Sequence, residues 1–299
     1  MIALKKVDIK DKSWMDPLIA AGNLPGSHQN FTNIFAWAVL YDYYTAQVGE
    51  RLVVRGKLEK EGYYYLYPTG SGDLKPVIEE MQQDAADNGH DFKLFGLTPD
   101  NIAVLDSLFP GKFTYQAIRD SFDYVYLLEK LVTLAGNKLH AKRNHINRFK
   151  QNNSWSFELI NSKNLDECWE MNVKWCLQHN CNEDDILYKE KCAVRRCFDN
   201  YFELGLEGGL LRVEDKVIAF TIGDRLNSDT YDIHVEKAFG EIQGAYQMIN
   251  REFAAYVQKT YPEIVYVNRE EDMGFEGLRK AKLSYRPVRL EEKYAAWYK

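Results

Sequence analysis

The feature that most constrains this chain lies in its last third. A strand pattern beginning at Tyr231 gives way to Gln243-Gly244-Ala245, then to a helix pattern over Ala245–Thr260, then to a second strand over Ile264–Val267. Tyr231-Asp232-Ile233-His234-Val235-Glu236 alternates with period two. The spacing therefore predicts Asp232, His234 and Glu236 on one face and Tyr231, Ile233 and Val235 on the other. The helix carries an apolar stripe of Ala245, Ile249, Phe253 and Tyr256. Such an order requires a sheet for the helix to cover, which points to an α/β (α+β) layer architecture.

The same grammar runs through the rest of the chain. Glu50–Leu58, Tyr63–Tyr67 and Phe92–Leu97 read as strands, and Phe113–Leu128 as an extended pair broken near Arg119-Asp120. Leu74–Asn88 and Asn101–Phe109 read as helices, the first stopped by Gly89 and the second by Pro110-Gly111. In the second half Trp155–Ile160 and Leu210–Asp224 are expected strands. Asp166–Gln178, Leu187–Phe202 and Gly274–Leu283 are expected helices. Mixed strands with interleaved helices, twice over, predict two similar halves, residues 1–130 and 131–299, joined near residues 128–140. The element order alone carries that duplication, because no residue-level repeat is visible.

Composition sets the outer bounds. A chain of 299 residues with 45% apolar and 27% charged residues can bury a sizeable core. A net charge of −6 argues against broad nucleic-acid binding, which needs a basic surface to neutralise phosphates, while leaving room for one local basic patch. The first residues show no apolar leader, and the longest apolar run, Ile34 to Tyr41, is too short to span a bilayer. Five cysteines (Cys168, Cys176, Cys181, Cys192, Cys197) without C-x-x-C spacing read as reduced, buried thiols. The expectation is a cytoplasmic protein with no metal site.

Four stretches carry groups that could do chemistry. Asn137–Lys150 holds five cationic residues, two histidines and no acid. As a helix, at about 100° per residue, it places Leu139, Ile146 and Phe149 on one side. Arg143 flanks that side, and His140, Asn144 and Asn147 stack beside it. Arg143 is the candidate clamp for a phosphate or carboxylate, since its planar fork binds such groups bidentately. The plainer alternative is a solvated basic face. His234 and Glu236 are candidates for a general base that deprotonates an amine nucleophile, against the alternative of a polar face in water. Gln243-Gly244-Ala245 precede a helix whose free N–H groups and dipole can receive an anion such as a pyrophosphate, against the alternative of an ordinary turn. Asn268-Arg269-Glu270-Glu271-Asp272 sits where a buried strand ends, a position at the rim of clefts in α/β folds, or else forms a solvated loop.

Gly277-Leu278-Arg279, Lys282, Tyr285 and Pro287 together resemble the closing motif of the phosphatidylglycerol lysyltransferase C-terminal domain, and are similar to that of the Fem-type aminoacyltransferases. Lys142-Arg143-Asn144 with Asn147-Arg148-Phe149, and Phe31-Thr32-Asn33-Ile34-Phe35 with Trp37, look like an uncharacterised bacterial branch of that superfamily. The resemblance covers nearly the whole chain. It implies two tandem GNAT-like mixed-sheet domains and transfer of an aminoacyl or acyl group to an amine or hydroxyl acceptor, either a small molecule or a peptide. It also implies a donor that is aminoacyl-tRNA, held by its charged acceptor end, or acyl-CoA. On the same resemblance Lys282 would stabilise the developing charge on the acyl oxygen. Arg143 or Arg279 would hold a phosphate, with Asn144, Asn147, Asn268 and Arg269 lining the substrate and anion site. The coenzyme A signature of GNAT enzymes is reduced here to Gln243-Gly244-Ala245, and the lysyltransferase's membrane-embedded half has no counterpart. The alternative is therefore a catalytically silent binding module that senses a nucleotide or phosphorylated metabolite.

Overall fold

β-branched and aromatic segments pair into two sheets, the first mostly from the first half but completed by Tyr294–Tyr298, the second mostly from the second half but including Asp123–Leu127. The computed structural model describes residues 2–59, 61–181 and 185–299. The chain divides into two units, each assembled from discontinuous segments. The first comprises Met1–Tyr124, Glu271–Arg279 and Leu290–Lys299; the second comprises Val125–Glu270 and Lys280–Arg289.

In the second unit the sheet order is Arg289–Glu291, Asp123–Leu127, Tyr266–Asn268, Thr230–Ala238, Lys216–Arg225, Glu207–Val213, Trp155–Leu159. The pairing of Thr230–Ala238 with Tyr266–Asn268 is parallel, whereas the pairings from Thr230–Ala238 through Lys216–Arg225 and Glu207–Val213 to Trp155–Leu159, and that of Tyr266–Asn268 with Asp123–Leu127, are antiparallel. The helix Ala245–Thr260 connects those two parallel strands and buries Met248, Ile249, Phe253 and Val257. Its packing partners include Glu207–Val213, Lys216–Arg225 and Thr230–Ala238. The basic segment forms a helix over His140–Asn152, with Ile146 and Phe149 buried as its spacing predicts.

In the first unit the sheet order is Lys5–Lys6, Tyr44–Val48, Arg51–Leu58, Gly62–Leu66, Lys93–Leu97, Tyr294–Tyr298, Phe113–Ala117. The helix Leu74–Asp87 starts at Asp73, whose side chain accepts from the Lys75 N–H at 3.0 Å, and packs Val77, Ile78, Met81 and Ala85 into the core. Two helices in the aromatic N-terminal region, Lys12–Gly22 and Phe31–Tyr41, have no counterpart in the sequence expectations. Neither does the strand Tyr294–Tyr298, which lies between two strands far upstream. It is flanked by charged residues and carries only a short apolar run, Tyr294-Ala295-Ala296-Trp297, so nothing local announces an interior strand.

Immediately before that strand, Lys293 is buried. Its ammonium donates to Asp123 Oδ1 at 2.6 Å, to Glu271 Oε2 at 3.1 Å and to Ser27 Oγ at 3.1 Å. Asp123 is fully buried and also accepts from the Ser27 N–H at 2.8 Å. Removing one member of a buried ion pair leaves the other without compensation. Lys293→Met is therefore expected to lower unfolding free energy by about 3–5 kcal/mol, read by urea denaturation. A loss below about 1 kcal/mol, the scale of an exposed pair, would show that the pair holds nothing together.

Candidate functional site

The parallel pairing in the second unit is short. Thr230 pairs with Tyr266, Tyr231 with Val267 and Asp232 with Asn268, and there the register stops, although the first strand continues to Ala238. Among the described residues no strand covers that side of Ile233–Ala238, which opens a wedge in the sheet. The other side of the strand is bulged. Val235 pairs with Ile222 and Ile233 with Gly223, so His234 is the extra residue. Gly223 fits there because a Cβ would stand 2.0 Å from the Asp232 carbonyl oxygen.

The bulge corrects the expected common face. Tyr231 packs on Phe253, with ring centroids 5.9 Å apart, and Glu236 meets Asn250 on the same helix. Residues five apart share a face only if the alternation is broken between them. Glu236 and His234 accordingly belong to different clusters, although period-two spacing had placed them together.

Glu236 is the centre of the first cluster. Its Oε1 accepts from Arg269 Nη2 at 2.8 Å and its Oε2 from Asn250 Nδ2 at 3.0 Å. The Arg269 guanidinium lies over the rings of Tyr285, at 5.0 Å, and Tyr126, at 5.6 Å. Lys142, from the basic helix, places its ammonium 4.1 Å from the Tyr285 ring centre. Burial, then the nearby Arg269 charge, lowers the Lys142 pKa against the opposing pull of Glu236. Sequence reasoning had passed over Asn250, Tyr126 and Tyr285 as functional groups. The available signal was Asn250, an amide set directly beside the apolar stripe of its helix and 4% exposed.

His234 is the centre of the second cluster. Its Nδ1 faces Glu270 Oε1 at 3.0 Å and Asp232 Oδ2 at 3.8 Å, and its Nε2 faces Asp224 Oδ1 at 3.1 Å. Burial alone would lower its pKa, but Asp224, Glu270 and Asp232 outweigh it and hold the ring well above the usual histidine range. An imidazolium with both N–H groups directed at carboxylates has no lone pair to offer, so this geometry does not supply the base expected of His234. Asp232, His234 and Glu270 also form the trio whose donor atoms lie within 4.8 Å of one another, the spacing a metal ion would need.

The other expected site residues are placed as follows. Lys282 is buried and donates to the backbone carbonyls of Arg269 and Glu270, which fixes the strand exit carrying both. Arg143 donates to the carbonyls of Leu134 and Gly136, capping the short helix Leu128–Thr133. Asn144 and Asn147 are exposed, with Asn144 3.4 Å from His140 Nδ1. Asn268 is buried and accepts from the Glu270 N–H at 2.8 Å. Gln243 is exposed, whereas Gly244 and Ala245 are buried. Gly244 has φ +90°, and a Cβ there would sit 2.5 Å from the His145 carbonyl oxygen, so close helix packing explains the glycine. No side chain caps the helix that follows it.

In the first unit Arg279 grips Asp272 with Nε at 2.9 Å and Nη2 at 2.8 Å, and also reaches Asp120 at 2.7 Å. Burial would raise the Asp272 pKa. The bonds from Arg279, Tyr124 and the Gly274 N–H outweigh it and hold the carboxyl at about 2. All five cysteines are free thiols, and burial pushes those of Cys168, Cys176 and Cys197 up to about 12. No helix among the described residues is long and apolar enough to cross a membrane.

Residues 21–297 match the family described as phosphatidylglycerol lysyltransferase, C-terminal. The chain belongs to that family. Among solved structures, a conserved protein of unknown function from Bacteroides thetaiotaomicron VPI-5482 is 38% identical and covers 100% of both chains, with a TM-score of 0.95. FemX, 9% identical, shares the fold over 100% of this chain and 98% of its own, with a TM-score of 0.64. The phosphatidylglycerol lysyltransferase C-terminal family thus appears here as two tandem GNAT-like mixed sheets, the fold the closing motif implied. An uncharacterised protein of Mycoplasmoides gallisepticum is 27% identical over 188 residues, which are 62% of this chain and 59% of that relative.

The His234 cluster makes stability depend on pH with a definite sign. Its folded pKa lies above the unfolded value, so the stabilisation is complete below about pH 6.5, where a free histidine titrates, and is lost as pH rises through the raised pKa. Urea midpoints of the wild type should fall as the solution becomes alkaline, and His234→Gln should flatten that fall. Parallel pH curves for the two proteins would refute the assignment.

Proposed function

We propose that this chain is an acyltransferase that moves an aminoacyl or acyl group from an activated donor to an amine or hydroxyl acceptor, and that transfer takes place in the wedge of the second unit. The uncovered edge of Ile233–Ala238 carries this reading. A strand edge offers unpaired N–H and C=O groups to an extended, amide-bearing donor arm, the mode in which peptides add to sheets. Arg269 presents a guanidinium at that edge, where a fixed donor in a water-poor site stabilises charge developing on an acyl oxygen. Glu236 and the two tyrosine rings fix the direction of that guanidinium. Family membership supports the same reaction class.

The residues first expected to bind or stabilise take different tasks in this reading. Lys282 acts as a positioning residue, tying down the backbone that carries Arg269. Arg143 caps a helix, and Arg279 anchors Asp272. The uncapped start of Ala245–Thr260 is where a donor phosphate would be received, through N–H groups and the helix dipole. The donor is aminoacyl-tRNA or acyl-CoA, and the acceptor a small molecule or peptide bearing an amine or hydroxyl.

A second reading is favoured by one observation. Lys282, Arg143, Arg279 and His234 are each engaged by the protein itself, as they would be in a module that binds a phosphorylated ligand without transferring anything. An activity panel of charged tRNAs and acyl-CoAs with amine and hydroxyl acceptors separates the two. Transfer is expected with at least one donor. Arg269→Lys, which keeps the charge and removes the fork, should lower kcat/KM by about 10²-fold, the scale of losing one oxyanion donor. Thermal stabilisation by coenzyme A or a nucleotide with no transfer would instead establish the binding module.

A further inference from the structure

The wedge contains three buried or half-buried polar groups that the protein leaves without a hydrogen-bond partner. Arg269 Nη1 and Asn250 Oδ1 have none. The Lys142 ammonium takes part in no hydrogen bond or ion pair among the described residues and lies against the Tyr285 ring. The three belong to one neighbourhood. Arg269 and Asn250 both hold Glu236, and Lys142 and Arg269 lie over the same tyrosine ring. Leaving a buried donor or acceptor unmade is costly, so such atoms, where they persist together, mark a place prepared for a ligand.

Glu236, His234 and Lys282, the other acidic, imidazole and ammonium groups described for this part of the unit, are each committed. Both oxygens of Glu236 accept hydrogen bonds, both nitrogens of His234 face carboxylates, and Lys282 is bonded to two carbonyls. Lys142 is the amine that remains. Desolvation and the neighbouring guanidinium lower its pKa against the pull of Glu236, which moves it toward the form in which a lysine can accept a proton.

We propose that Lys142 is the proton acceptor of the transfer, with Asn250 orienting the attacking group; this rests on the acyl-transfer reading of the same wedge. The acceptor's N–H or O–H donates to Asn250 Oδ1 or to the neutral Lys142 amine as its lone pair attacks the acyl carbon. A C–N or C–O bond forms, the proton passes to Lys142 Nζ, and the carbonyl electron pair moves onto the oxygen opposite Arg269 Nη1. Collapse breaks the bond to the donor's ester oxygen or thioester sulfur, which takes the proton back from Lys142. No oxidant or reductant enters, and the lysine ends as it began.

Two measurements test the role. In the first, the intact protein is acetylated competitively with acetic anhydride at a series of pH values, and peptide mapping follows each lysine. Lys142 should gain reactivity at lower pH than Lys150 on the same helix and Lys138 just before it; a titration that coincides with theirs overturns the proposal. The second uses any donor–acceptor pair that turns over in the activity panel. Lys142→Met, which keeps an apolar stem over Tyr285, should lower kcat by about 10²–10⁴-fold, the range for general-base catalysis, with KM little changed. Lys142→Arg should also be slow, because a guanidinium does not deprotonate, and it would exclude simple loss of packing. Full kcat in Lys142→Met defeats the catalytic role while leaving acyl transfer intact. A wild type that transfers from no donor defeats the acyl-transfer reading itself, and the role with it.

Discussion

The site depends on one termination: the parallel ladder between Thr230–Ala238 and Tyr266–Asn268 stops at Asp232 and Asn268. Had it continued, Glu236 and the residues after Asn268 would lie inside a closed sheet. Because it stops, a charged segment turns away from the strand, and Arg269 lines the opening by reaching Glu236. A guanidinium in that position is tolerable only with its charge compensated, and Glu236 supplies the compensation from the diverging strand. Tyr126 and Tyr285 provide the flat surfaces a planar cation prefers. Lys282 fastens the same turn from the backbone side. Separation of the strands and the charged lining are therefore a single arrangement.

The first unit solves a related problem with different groups. There a buried lysine, Lys293, meets Asp123 and Glu271, and Asp272 next door is gripped by Arg279 and Tyr124. Both sets of contacts tie residues distant in sequence, with separations of 170 between Lys293 and Asp123 and 148 between Tyr124 and Asp272. Charged hydrogen bonds are directional, so they fix which segment joins which, where apolar packing alone would accept neighbours of similar shape.

Much of the architecture was legible in the sequence. Regular periodicity announced the helices Leu74–Asp87 and Ala245–Thr260 and most strands, because burial of one face imposes a repeating pattern. The closing motif carried the family and its tandem fold. The site was legible in its pieces and not in its assembly. Period-two reasoning assumes an unbroken ladder, and the extra residue at His234 breaks it, so Glu236 and His234 were assigned to one face. Arginines and lysines in a sequence suggest ligands for anions, because a sequence shows charges but not their partners. For Arg143, Arg279 and Lys282 those partners are carbonyls and carboxylates of the chain itself. Asn250 and Lys142 had the opposite fate: an amide beside an apolar stripe and one lysine in a basic run are common, and only their missing partners set them apart.

The strand Tyr294–Tyr298 has a consequence for the order of events in the cell. It is hydrogen-bonded on one side to Lys93–Leu97 and on the other to Phe113–Ala117. A ribosome releases those two flanking strands long before it releases the one between them. Until then the nascent sheet has two facing edges and a gap, and unpaired edges of this kind invite pairing with other chains. The part of the protein made first is thus the part completed last, and a nascent chain paused late in synthesis exposes an open sheet where the finished protein has a continuous one.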